Sequence, residues 1–163
     1  MTKSLFLLLL LASAAHATAQ DRTPAIEYSD GYYTRLTVHR VGSYAMLPLF
    51  GSEYLLGRKL MGSGDVAGWV KPTHGAVAAG IGALFAVNTV TGALNLWESR
   101  HEKEGRNRRI LHAALMTLAD VGFGVTALLA DDDDDGNVNA HRNAALFSIG
   151  LSTAGTLVMW LGD

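Results

Sequence analysis

The sequence predicts an all-α protein, a four-helix up-and-down transmembrane bundle preceded by a signal peptide. Hydrophobic residues make up 49% of the chain and charged residues only 17%, below the roughly 25% typical of soluble domains. The charges collect between four apolar segments, each about 20 residues long and able to cross a bilayer core of about 30 Å. A soluble bundle would have to bury almost every face of these helices. We therefore expect these helices to lie in the lipid bilayer.

The first nineteen residues are typical of a secretory signal peptide. Lys3 precedes an apolar block at 5–12, and small residues then offer A-x-A cleavage sites at 15–17 and 17–19. The apolar block is shorter than the roughly 20 residues of a spanning helix. We expect residues 1–19 to be removed, leaving 20–31 as a short exported polar tail. An uncleaved anchor is the alternative.

The membrane domain is predicted over 32–161, with helices at about 32–57, 72–97, 110–130 and 140–161. In the first helix, Pro48 is expected to cause a kink. The second helix has Pro72 in its first turn, a position that proline favours. Asn139 is expected to cap the fourth helix.

Two topology signals disagree. A cleaved signal peptide places the new N-terminus outside, and with it the loop between the second and third helices. The positive-inside bias would place that loop inside, because it carries five basic residues: Arg100, Lys103, Arg106, Arg108 and Arg109. We favour the signal peptide, and expect a multi-pass protein of the bacterial inner (cytoplasmic) membrane.

Composition also excludes several functions. The net charge is −2 and the basic residues are dispersed, so nucleic acid is not an expected partner. The absence of cysteine excludes disulfides, thiolate catalysis, iron–sulfur clusters and covalently attached haem. G-x-S-x-G, phosphate-binding and H-E-x-x-H motifs are also absent from the sequence. No residue is assigned a catalytic role, and an enzymatic activity, if there is one, would be that of an electron-transfer oxidoreductase.

One histidine stands near the start of each apolar segment: His39, His74, His112 and His141. In helices of alternating direction, the first and third histidines share one membrane face, and the second and fourth share the other. Two bis-histidine sites result, about 20 Å apart by the helix rise. Imidazoles from facing helices suit the iron of an electron-transfer haem. We predict two b haems, one held by His39 and His112 and the other by His74 and His141.

This order of helices and histidines resembles the cytochrome b561 superfamily over about residues 32–161. Its core is four helices with two b haems held by histidines on alternate helices, and the small bacterial members are the closer comparison. The resemblance implies electron transport, with a quinone or a redox protein as partner. The ascorbate-binding signatures of the eukaryotic members are not seen here.

Other residues are candidates for supporting roles. Arg40 and Arg142 directly follow two of the histidines, and each guanidinium is expected to pair with a haem propionate or to snorkel to the interface. Glu53 and Asn88 lie fourteen residues after His39 and His74 and return to nearly the same helix faces.

An acidic residue near the middle of the third helix is costly in a membrane. This residue, Asp120, is expected to lie in a proton pathway with Glu53 and Asn88. Its expected hydrogen-bond partner is Asn88, Thr89 or Thr91.

Two alternatives stay open at this stage. The histidines could be interfacial residues of a non-catalytic membrane protein, such as an assembly or envelope factor. They could also bind copper or iron without porphyrin in a metal-handling protein. The acidic run 131–136 opens like a calcium loop, but Arg142 stands where a glutamate is required, so we interpret it as a solvated loop. The sequence also leaves a homodimer open.

Overall fold

The computed structural model describes residues 26–62, 64–130 and 135–161, and these ranges contain four α-helices and no strand. The helices are α1 (Asp30–Leu60), α2 (Val70–Glu98), α3 (Arg106–Leu128) and α4 (Asp135–Leu161). The all-α class and the number of helices are confirmed for the described residues. The signal peptide and most of the acidic run, residues 131–134, lie outside the described residues.

The helices begin two to five residues earlier than predicted, and local contacts explain two of these starts. At α1, the Oγ of Ser29 accepts a hydrogen bond from the backbone N–H of Tyr32 at 3.1 Å. At α3, Gly105 adopts a left-handed conformation with φ 62° and lets the chain turn into the helix. The guanidinium of Arg109 donates a hydrogen bond to the backbone carbonyl of Glu104 at 2.6 Å, and this bond links the loop to the start of the helix.

The observed helix bounds test the expected cap at Asn139 and locate Pro48. Because α4 begins at Asp135, Asn139 lies inside the helix, and the prediction that it caps α4 is wrong. Pro48 lies inside α1, which continues as a helix to Leu60.

Three of the four helices are long and apolar enough to cross a membrane: α2, α3 and, from Asn137, α4. Helix α1 is the longest, at 31 residues, but it does not belong to this apolar group. Many large apolar side chains of the spanning helices point away from the protein, including Val121, Leu128 and Phe147. Such apolar outer faces suit association with a lipid bilayer.

The helices form two closely packed hairpins, α1 with α2 and α3 with α4, and contacts between the hairpins are fewer. Small residues allow the close packing. A Cβ at Gly42 would stand 2.5 Å from the Oδ1 of Asn88, and a Cβ at Gly122 would collide with the Oγ of Ser148. The core that joins the hairpins contains Met46, Phe50, Ile81, Phe85 and Ala119.

Candidate functional site

The four helix histidines form two facing pairs. The ring centres of His39 and His112 lie 6.0 Å apart, with an angle of 76° between the ring planes. Those of His74 and His141 lie 6.2 Å apart, at 65°. These are the two pairs expected from alternating helix directions. Each pair takes one imidazole from each hairpin, so both sites lie between the hairpins.

In three of the four imidazoles, Nδ1 contacts a backbone carbonyl of the neighbouring helix in the same hairpin. His39 contacts the carbonyl of Asn88 at 3.0 Å. His112 contacts that of Gly155 at 2.9 Å, and His141 that of Thr126 at 2.9 Å. A carbonyl only accepts, so Nδ1 carries the proton and donates, which leaves the lone pair of a neutral ring on Nε2. Metal-ligating histidines are held and oriented in this way.

The fourth imidazole has a different partner. Nδ1 of His74 lies 3.0 Å from the Oε1 of Glu53, which is ion-pair distance. The oxygen lies off the ring N–H direction, so the approach is not a well-aligned hydrogen bond. The other carboxylate oxygen, Oε2, is buried and has no hydrogen-bond partner among the described residues.

All four contacts follow one register. The partner of each histidine lies fourteen residues after the other histidine of the same hairpin: Glu53 after His39, Asn88 after His74, Thr126 after His112, and Gly155 after His141. Fourteen residues span about 21 Å and nearly four turns, which returns the chain to about the same face. The spacing of Glu53 and Asn88 was noted from the sequence. Thr126 and Gly155 were missed, although the same spacing selects them.

Glycines stand against two of the imidazoles. A Cβ at Gly92 would lie only 3.0 Å from the Cε1 of His39, and a Cβ at Gly57 would lie 3.5 Å from the Cε1 of His74. Carbon atoms in good contact are about 3.5–4.0 Å apart. A residue larger than glycine at position 92 would therefore press against the His39 ring. At Gly57 the added Cβ would make only an ordinary contact with His74.

Three phenylalanine rings lie between the histidine pairs. Phe50, Phe85 and Phe123 each follow a histidine of their own helix by eleven residues, about three turns along nearly the same face. The Phe85 and Phe123 ring centres are 4.8 Å apart, and those of Phe50 and Phe123 are 5.7 Å apart. These rings were not singled out from the sequence, although the repeated H-x₁₀-F spacing marks them.

The arginines near the histidines lie in different surroundings. Arg40 and Arg142 are both exposed. Arg108, in contrast, lies four residues before His112 and so on its helix face. The Nε of Arg108 is buried and has no hydrogen-bond partner among the described residues.

The three residues of the predicted proton pathway lie in separate places. Glu53 is beside His74, and Asn88 is beside His39. Asp120 accepts a hydrogen bond from the Oγ1 of Thr89 at 2.6 Å, so Thr89 is its partner among the three expected. Within the described ranges, no hydrogen bond or ion pair joins Glu53, Asn88 and Asp120.

The two histidine pairs fit one type of metal centre better than others. Two imidazole nitrogens bound on opposite sides of one metal, each at about 2 Å, place their ring centres about 6 Å apart. Both pairs have this separation. In the part of the chain that the structure describes, no three His, Asp or Glu side chains converge into a metal-binding group. The donor set is thus two imidazoles per site, which fits a haem with two histidine ligands.

Comparison of the chain with protein-family models, with curated proteins and with solved structures finds no match.

Proposed function

We propose that this protein is a membrane b-type cytochrome, which binds two haems and transfers electrons across or within the bilayer. The observation that carries the proposal is the pair of facing imidazole sites. In both, the ring separation suits two axial ligands of one iron. A porphyrin supplies the four other ligands, so two imidazoles from the protein complete the coordination.

The same geometry favours haem over the two alternatives. A metal bound without porphyrin usually takes three or four ligands from the protein, whereas each site here offers two. Interfacial histidines would turn toward the headgroups. The four imidazoles instead are partly buried, face one another and have Nδ1 directed at the neighbouring helix.

Each part of the proposed site has a defined task. The imidazole Nε2 atoms hold the iron, and the oxygens opposite Nδ1 keep the rings oriented. Phe50, Phe85 and Phe123 exclude water from the space between the two levels. Haem b, when bound, supplies one-electron chemistry within reach of both membrane faces.

The proposal also places all four helices across the bacterial inner membrane. Three helices are apolar enough by themselves, and α1 packs along the length of α2. A quinone or a redox protein is the proposed partner. An open groove of about 850 Å³ lies at the end of the bundle near His112, and its lining is polar, mainly basic, on one side and apolar on the other, with Arg106, Arg108 and Glu104 facing Leu157. This lining suits an amphipathic partner.

The first test is a dithionite-reduced minus oxidised visible spectrum of detergent-purified protein, produced with adequate haem. Pyridine haemochrome analysis then counts the haems per chain. We expect a sharp b-type α band and close to two haems. A flat spectrum would refute the proposal and leave only the membrane-associated helical fold.

Histidine variants test the pairing. His39→Ala and His112→Ala are expected to remove the same haem, and His74→Ala and His141→Ala the other. His101→Ala is the matched control, because His101 is exposed in the loop between α2 and α3. Equal partial loss of haem from all four helix variants would contradict the pairing.

A further inference from the structure

We infer that Glu53 lowers the reduction potential of the haem site formed by His74 and His141, and so makes the two sites electrochemically unequal. The inference rests on the proposed function. It is based on one exception among the four contacts at the fourteen-residue position, where the partner of the histidine is a side chain and not a backbone carbonyl. Three imidazoles meet a backbone carbonyl at the fourteen-residue position, whereas His74 meets the side chain of Glu53.

The position of Glu53 points to a role toward His74. The Glu53 side chain is only 15% exposed, and that of His74 is 21% exposed. A carboxylate in such surroundings is costly unless a donor compensates it. The nearest polar group to Oε1 is Nδ1 of His74, at an ion-pair distance of 3.0 Å but without a well-aligned hydrogen bond, and both Nδ1 and Oε2 are buried without a hydrogen-bond partner among the described residues. A structural hydrogen bond would not require a charged group here, since a carbonyl serves the three other rings.

The electrostatic consequence has a definite sign. A carboxylate opposite Nδ1 makes the imidazole a more basic ligand than a neutral carbonyl does. A more basic ligand, with a negative charge close by, stabilises the ferric form over the ferrous form, because the ferric iron carries the larger positive charge. At the other site, both acceptors are the backbone carbonyls of Asn88 and Gly155. The His74–His141 site therefore has the lower potential, and electrons pass favourably from it to the His39–His112 site.

Glu53→Gln tests the inference in the haem-loaded protein. The glutamine side chain offers an amide oxygen, the acceptor chemistry of the other three rings, without the charge. Redox titration followed by visible spectroscopy is expected to show the lower of the two potentials raised, the higher one unchanged, and both haems retained. Glu104→Gln is the matched control, because Glu104 is an exposed glutamate in the α2–α3 loop.

The shifted potential is assigned to a site by repeating the titration in a His39→Ala background, where the His74–His141 haem is the one expected to remain. If Glu53→Gln lost that haem, Glu53→Asp would provide the second test. It keeps the carboxylate, so it must hold the haem at a low potential, and a raised potential would overturn the inference.

The other outcomes separate the two proposals. A parent protein that binds no haem overturns the proposed function, and the inference with it. A parent with two haems, whose potentials Glu53→Gln leaves unchanged or shifts equally, overturns the inference alone.

Discussion

Gly92→Ala is expected to weaken the His39–His112 site without disturbing the helix. The new Cβ would lie 3.0 Å from the Cε1 of His39, at least about 0.5 Å closer than a good carbon–carbon contact. The ring has little freedom to move away, because its Nδ1 is bonded to Asn88 and lies 3.2 Å from the Oγ1 of Thr91. A metal–nitrogen bond tolerates changes of only about 0.2 Å. A displacement of this size therefore costs the site its axial geometry.

The assay is the haem count per chain, together with the visible spectrum. We expect Gly92→Ala to fall from two haems toward one. Alanine is the best helix former, so a loss would not come from a broken helix. Gly80→Ala is the control on the same helix, with no atom within 4 Å of its Cβ, and Gly57→Ala makes only an ordinary 3.5 Å contact with His74. Both are expected to keep two haems. A Gly92→Ala protein with two haems and the parental spectrum would refute this reasoning.

Two further variants test the helix packing and the carboxyl group of Asp120. Gly42→Ala places a Cβ 2.5 Å from the Oδ1 of Asn88, and forcing α1 and α2 apart is expected to destabilise the protein by about 1–3 kcal/mol. Unfolding in denaturing detergent measures the loss of stability. The control is Gly51→Ala, whose Cβ meets no atom within 4 Å. Equal stability of the two variants would contradict the expected destabilisation. Asp120→Asn keeps an acceptor for Thr89 and is expected to retain both haems, while the reduction potential depends less on pH. Redox titrations at several pH values measure this, and a pH-independent potential in the parent would contradict it.

The sequence predicts the helices well because long apolar segments have few alternative structures in a membrane. It predicts their ends less well, since tertiary contacts fix them. The first turn of α3 consists of three arginines and an asparagine that the sequence assigns to a loop. It is helical because Gly105 turns the chain and Arg109 bonds to loop carbonyls. Similarly, the apolar signal of α1 is weaker than that of the other three helices, and it is its packing against α2 that places it in the bundle.

The candidate site likewise has one part that the sequence predicts and another part that it does not. One histidine in each helix, with alternating directions, is enough to predict which rings face each other. The residues that orient them are harder to find, because Thr126 and Gly155 act through backbone carbonyls, which every residue type has. The arginines show how helix geometry limits a prediction from sequence neighbours alone. Arg40 directly follows His39 and is turned about 100° away from its face, whereas Arg108 lies four residues from His112 on the same face.

Contacts within each hairpin and contacts between the two hairpins have different roles at the site. Within a hairpin, each helix supplies an oxygen beside the histidine of the other helix: a backbone carbonyl that accepts from the ring in three cases, and the Glu53 carboxylate at ion-pair distance in the fourth. Between hairpins, the histidines face each other across an interface with comparatively few other helix contacts. A ligand that bridges the imidazole pairs would thus join two preorganised halves. Because three of the four rings are already held by a hydrogen bond within their hairpin, its binding would have to offset less of the cost of ordering the rings.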